Sequence, residues 1–246
     1  MNDFLKISFA GYTFRDFDLD TTLEMMQKID VRYLCIKDFH LPLTSTVDEI
    51  AAFHAKLVAK NVTGCGAGPI YMRSEAEIDR AFEYIRHVGV KLLVGVPNYE
   101  LLPYVDKKVK EYDILYAIHI HGPDVPLYPD SADVIKHVNH LDSRIGICLD
   151  IAHTIRYGSE PIRDLEKYFK RIFDIHLTDA VAASKQGQLC TLGRGIANLP
   201  AFMRTLCKLK YSGACNIELT ANKENCFAAA AESLGYINGV LKSLKV

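Results

Sequence analysis

Two stretches decide the fold: Ile145-Gly146-Ile147-Cys148-Leu149-Asp150-Ile151-Ala152-His153-Thr154 and Ile172-Phe173-Asp174-Ile175-His176-Leu177-Thr178-Asp179. Successive side chains of a strand point to opposite faces. In the first stretch Ile147, Leu149 and Ile151 share one face, and Gly146, Cys148 and Asp150 the other. In the second, Phe173, Ile175 and Leu177 oppose Asp174, His176 and Thr178. Each is a strand with a bulky apolar face, suited to lie under helices, and a small or polar face. The polar members gather late in each strand.

The same division recurs on either side. In Ile114–Gly122, Tyr116, Ile118 and Ile120 oppose Ala117, His119 and His121; in Cys215–Ala221, Ile217 and Leu219 oppose Asn216, Glu218 and Thr220. Four earlier apolar runs, Lys6–Phe14, Arg32–Asp38, the glycine-rich Val62–Met72 and Val90–Asn98, complete eight strands. Helical patterns separate them: Leu19–Ile29, segments opened by the boxes Thr46-x-x-Glu49 and Ser74-x-x-Glu77, one running through Val109, then Ser131–Leu141, one begun by Ser159 and Pro161, Leu199–Leu209 and Ala228–Leu244. Strict strand–helix alternation implies parallel strands with crossover helices. Eight such units in 246 residues, with no Pro/Gly/Ser linker, give one closed (β/α)8 TIM barrel spanning residues 1–246. In that barrel the polar faces line the interior, and their late members reach the C-terminal rim, where active sites of this fold sit.

Composition narrows the function. The chain is 49% hydrophobic and 24% charged, with a net charge of −1 and no basic block, so nothing favours nucleic acid or an anionic membrane as partner. The seven cysteines form no Cys-x-x-Cys pair, and several lie in apolar strands, which fits a reducing compartment better than a disulfide framework. The N-terminus Met1-Asn2-Asp3-Phe4-Leu5-Lys6 lacks a leader core, and no apolar run reaches membrane-spanning length. The expected location is cytoplasmic, or periplasmic if a leader has been removed.

The fifth to eighth strands bring His119, Asp150, His176 and Glu218 to the rim. Two imidazoles and two carboxylates suit one Mn, Co, Zn or Fe ion and are too nitrogen-rich for Ca or Mg. Single polar residues at strand ends are usually hydrogen-bonded structural groups. Four on the inward faces of adjacent strands point instead to a metal, because buried charges need partners. His121, one step beyond His119, either replaces it as ligand or meets substrate. His153 and Asp179 flank the ligands and could orient them or carry a proton, with loop capping the alternative for Asp179. Lys37, inward with Tyr33 and Cys35, could stabilise an oxyanion or pair with a site carboxylate. Tyr12 and Arg194 are candidate substrate contacts. Leu192-Gly193-Arg194-Gly195 occupies a place that can bind phosphate in this fold, though a plain turn explains it too. Gly64-x-Gly66-x-Gly68 lies inside a strand and is no dinucleotide fingerprint, so no organic cofactor is expected.

Along its whole length the chain resembles the xylose-isomerase-like TIM barrels, the group of sugar and sugar-phosphate isomerases and epimerases that includes the apurinic endonuclease branch. The resemblance rests on Leu149-Asp150-x-x-His153, His176-x-x-Asp179, Leu192-Gly193-x-Gly195 and Asn216-Ile217-Glu218, in that order. It implies a metal held by a glutamate after the fifth strand, then an aspartate, a histidine and a final glutamate. Asp150, His176 and Glu218 match the last three. The first falls in Ala117-Ile118-His119-Ile120-His121, where the family usually has Glu-Asn-His. His119 in place of a glutamate removes one negative charge and one of the two bases that ketose epimerases of the group use. Ile36-Lys37-Asp38-Phe39-His40-Leu41-Pro42 and Ile118-His119-Ile120-His121-Gly122-Pro123 further resemble bacterial members described as sugar isomerases, with relatives that act on 3-keto-glycosides.

The resemblance therefore implies a metal-dependent sugar isomerase or epimerase. A 3-keto-glycoside lyase or hydratase working by β-elimination is the alternative. In both, Glu218 is the expected base, and His121, His153 or Lys37 the partner acid. A small carbohydrate is the expected substrate and a homodimer the expected assembly. An abasic-site endonuclease would need more ligands and a basic groove. A non-catalytic sugar-binding barrel would hold no metal, or hold it without turnover.

Overall fold

The computed structural model describes residues 5–244. The reading of the N-terminus as leaderless rests on Met1–Phe4, outside the described residues. The eight barrel strands are β1 (Lys6–Ala10), β2 (Tyr33–Ile36), β3 (Thr63–Met72), β4 (Leu92–Pro97), β5 (Leu115–His119), β6 (Ile145–Asp150), β7 (Ile172–Leu177) and β10 (Ala214–Ile217). They pair in parallel in chain order, and β10 closes on β1. Two short strands, β8 (Asp179–Ala180) and β9 (Leu189–Cys190), form a hairpin in the loop after β7. The helices are α1 (Leu19–Lys28), α2 (Val47–Ala59), α3 (Glu75–Val88), α4 (Leu102–Tyr112), α5 (Ser131–Val138), α6 (Ile151–Arg156), α7 (Pro161–Tyr168), α8 (Leu199–Leu209) and α9 (Cys226–Ser243).

Local chemistry starts the helices where the sequence indicates. Thr46 and Glu49 make the reciprocal capping box of α2, and the Ser74 hydroxyl accepts the Glu77 amide at the start of α3. Pro161 stands in the first turn of α7, behind the Glu160 cap. The strands end earlier than alternation alone predicts. β1 stops at Ala10 and passes into a 3-10 turn over Gly11–Phe14, and β5 stops at His119. β6 ends at Asp150 because its carboxylate caps α6, so Ile151–Thr154 is helix rather than strand. β10 ends at Ile217, which leaves Glu218 just beyond it.

One outward assignment is overturned. Phe173 packs on the barrel-interior cluster of Leu92, Val94, Ala117 and Cys148. The β6–β7 register shifts beside it, so Ile147 pairs with Ile172 but Cys148 with Asp174. The extra residue lets both Phe173 and Asp174 face inward. Gly146 makes the room, since a Cβ there would lie 2.7 Å from the Phe173 ring. On the outer faces of the strands Leu34, Ile118, Ile147, Leu149, Ile175 and Leu177 belong to the main core beneath the helices. All seven cysteines are free thiols, and among the described residues no helix is long and apolar enough to cross a membrane.

Candidate metal centre

The strand ends bring the four expected ligands together. One ligand atom from each of His119, Asp150, His176 and Glu218 lies within 4.8 Å of the others. His176 Nδ1 is 3.1 Å from His119 Nε2, 3.1 Å from Glu218 Oε2 and 4.0 Å from Asp150 Oδ2, and His119 Nε2 is 3.9 Å from that same oxygen. Ligand atoms bound at about 2.1 Å around a tetrahedral ion sit roughly 3.4 Å apart, so these separations suit an ion of that size.

Each candidate ligand is set in place by its own neighbours. Asp150 Oδ1 accepts the His153 amide at 2.8 Å and the Thr178 hydroxyl at 2.7 Å, while Oδ2 has no hydrogen-bond partner and faces the two imidazoles. Thr13 braces the backbone around Glu218: its hydroxyl donates to the Ile217 carbonyl at 3.1 Å and accepts the Leu219 amide at 3.0 Å. The Arg15 guanidinium holds the next turn through the carbonyls of Leu219 and Ala221. The side chains of His119, Asp150 and His176 are 3%, 1% and 0% exposed, whereas Glu218 is 14% exposed. Glu218 is therefore the ligand nearest the open mouth.

The electrostatics also fit a cation. Burial, reinforced by His121, His176 and His153, holds the His119 imidazole well below its ordinary range and keeps it neutral. Burial opposes charge on His176 as well, but Cys148, Glu218 and Asp174 outweigh it and raise that imidazole well above its usual range. Burial likewise pushes the Glu218 carboxyl up, yet His176 overcomes this and holds it below the usual carboxylate value. A divalent ion among the four atoms would supply the positive charge that the carboxylates here draw from His176.

The other expected residues separate into two groups. His121 and His153 join the centre: the His119 and His121 rings are 4.5 Å apart, and the His153 ring is 5.9 Å from each. Burial and His153 hold His121 down at about 4. Its Nε2 meets the Tyr71 hydroxyl at 2.6 Å. His153 Nδ1 is 3.5 Å from Asp124, which Arg156 grips at 2.5 and 2.8 Å. Lys37 stands at the edge, donating to the Pro69 carbonyl and 3.5 Å from Asp38, so its ion pair is with its neighbour and not with a site carboxylate. Tyr12 lies in the turn after β1, beneath the Arg15 guanidinium and 6.2 Å from the Phe39 ring.

Asp179 and Arg194 are turned to other work. Both Asp179 oxygens are taken up by backbone amides, Oδ1 by Ala180 and Ala197 and Oδ2 by Gly193 and Gly195, at 2.9 to 3.0 Å. Loop capping describes it, and the amides that a phosphate at Leu192–Gly195 would need are already engaged. The Arg194 fork is closed on Glu232 of α9 at 2.5 and 2.7 Å.

Tyr71, Asp124, Arg156 and Asp174 are the neighbours that sequence reasoning did not single out. Only Asp174 had left a signal, two residues before His176 on the same inward face. Tyr71 comes from the end of β3, Arg156 from the last turn of α6 and Asp124 from the loop after β5, and the strand and helix patterns did not mark their side chains as facing the site.

A family model described as xylose isomerase-like TIM barrel matches residues 48–239. Among solved structures, the chain is similar to a D-tagatose 3-epimerase-like protein (TM-score 0.78, 14% identity, 98% of each chain covered). It is also similar to the IolI protein crystallised with a zinc atom (TM-score 0.75, 19% identity, 98% of each chain). A third is a xylose isomerase domain protein from Planctomyces limnophilus (TM-score 0.74, 19% identity, 98% of each chain). At these identities the likeness shows a shared fold. Comparison with curated proteins found no match.

Proposed function

Because the chain belongs to the xylose isomerase-like TIM barrel family, we propose that it is a divalent-metal-dependent sugar or sugar-phosphate isomerase or epimerase. Its first chemical step removes the proton on the carbon next to a carbonyl. The observation that carries this reading is Glu218, whose Oε2 joins the ligand cluster without a hydrogen-bond partner while its side chain is the one ligand open to the mouth. A Mn, Co, Zn or Fe ion held by His119, Asp150, His176 and Glu218 would act as a Lewis acid toward the carbonyl and ease loss of the adjacent proton. Glu218, kept ionised by His176, is the group that takes this proton. His153, oriented by Asp124 in the grip of Arg156, is the group placed to give one back. Lys37 contributes positive charge at the edge, and Tyr12 and Phe39 give the sugar an aromatic wall.

A second reading rests on the same carboxylate. Asp150 is tied through Oδ1 to His153 and Thr178 and is 1% exposed, and His119 stands where a second glutamate would serve, so of the two carboxylates in the cluster Glu218 is the one turned to the mouth. One base suffices for β-elimination from a 3-keto-glycoside, where loss of the C2 proton is followed by departure of the aglycone.

Elemental analysis of the purified protein, then turnover of free ketoses and 3-keto-glucosides with the metal found, tests both. About one equivalent of metal with ketose interconversion supports the first reading, and aglycone release moves the assignment to the second. Failure to take up any of the four metals under loading conditions removes both.

A further inference from the structure

We propose that Asp174 is a positioning residue that holds His176 with Nδ1, rather than Nε2, turned to the ligand cluster, and so sets the affinity of the centre for its ion. The proposal rests on the metal-centre reading above.

Asp174 lies one layer below His176 on the inward face of β7 and is fully buried. A carboxylate at that depth needs donors or a counter-charge. Its Oδ1 accepts the Asn216 amide at 2.7 Å, and its Oδ2 lies 3.4 Å from both Cys148 Sγ and His176 Nε2. Among the described residues His176 is its one ion-pair partner. Asn216 cannot turn its amide around, because its Oδ1 already accepts the Ser8 hydroxyl. Ser8, Asn216 and Asp174 thus form a buried chain from β1 through β10 to β7 that ends on the far side of the His176 ring.

His176 Nε2 makes no hydrogen bond and has the Asp174 carboxylate 3.4 Å away as its ion-pair partner. A carboxylate beside one ring nitrogen favours the proton there and leaves the other as a lone pair in a defined direction, and such outer partners raise the basicity of a ligating imidazole. If the polar chain served only to fill the barrel, apolar side chains would do so without burying a charge. Leu92, Val94 and Ala117 fill the neighbouring part in that way.

The test measures Zn2+ and Mn2+ dissociation constants of wild type, Asp174→Asn and the exchange Asp174→Asn/Asn216→Asp by competition with a chromophoric chelator. Thermal unfolding of the metal-free proteins is recorded alongside. The single variant should bind metal about 10- to 100-fold more weakly. The exchange keeps the aspartate–asparagine pair but moves the carboxylate away from His176, so it should stay weak. Wild-type affinity in either variant overturns the proposal. The 15N spectrum of His176 in the zinc-loaded wild type gives a second reading that needs no variant to fold. A metal-shifted Nδ1 with a protonated Nε2 is expected, and coordination through Nε2 overturns the proposal. Absence of metal binding by the wild type fails the metal-centre reading and the proposal with it, whereas normal wild-type binding with an unaffected variant fails the proposal alone.

Discussion

The barrel interior has two unlike sides. Toward β4 and β5 it is filled by Leu92, Val94 and Ala117, joined by the Phe173 ring. Toward β7, β10 and β1 it holds Asp174, His176, Asn216 and Ser8, all fully buried. The first side is ordinary close packing and supports the fold. The second gives little net stability, since desolvating charge offsets most of what pairing returns. It carries His176, one of the four candidate ligands, with Asp174 one layer below it. A buried polar layer thus separates the side of the candidate site from the apolar side, and the contrast can be tested from either side.

The largest effect is expected on the polar side. Glu218→Gln should lower turnover on the keto-sugar substrate by about 10^3-fold or more, within the range for losing a general base, with a smaller loss of substrate binding. Steady-state kinetics with unchanged turnover would reject Glu218 as the base. On the apolar side, Val94→Asp would place a carboxylate where no donor waits, at a cost of about 3–5 kcal/mol in urea unfolding. A near-neutral result would mean that the two halves are less different than their composition.

A pH titration sharpens the comparison further. His121 is held at about 4 in the folded chain by burial and by His153, against roughly 6.5 when unfolded. Between those values the unfolded state binds more protons, so the metal-free protein should lose stability as pH falls from 6.5 to 4. The contribution of His121 is on the order of 3 kcal/mol. Denaturant unfolding across that range should show a flatter slope for His121→Asn, and an identical slope would remove His121 as the source. Asp179→Ala, which abandons four backbone amides of the loop after β7, should cost about 2 kcal/mol while leaving metal affinity near wild type. The smallest effect belongs to Arg194→Ala. Its ion pair with Glu232 is 65% and 41% exposed, so stability should shift by less than about 1 kcal/mol and turnover not at all. A large drop in turnover would return Arg194 to the substrate site.

The candidate ligands are legible for a simple reason. His119, Asp150 and His176 sit on strands with one apolar and one polar face, and a closed barrel allows only one interior for the polar faces. Glu218 continued the same pattern past the end of β10. Lys37 and Tyr12 were legible as rim residues, but not their partners. Arg194 and Asp179 went the other way: both looked available in sequence, and both find closer partners in the folded chain, Glu232 on α9 and the amides of Gly193, Gly195 and Ala197. Phe173 was misassigned because one residue of register shift between β6 and β7 undoes the alternation.

By itself, the sequence determined the number and order of the barrel strands, their closure into one barrel, most of the inward faces and the four candidate ligands. Periodicity is a local property, and eight local patterns leave few global arrangements open. Tertiary structure alone decided which carboxylate oxygen is free, which imidazole nitrogen faces the centre, that Tyr71 and Asp124 stand behind the rim histidines, and that Asp174, Asn216 and Ser8 form a chain beneath His176. Those are relations between residues up to 208 positions apart in sequence. They depend on register, on a bulge and on side-chain rotation, none of which a hydrophobic pattern records.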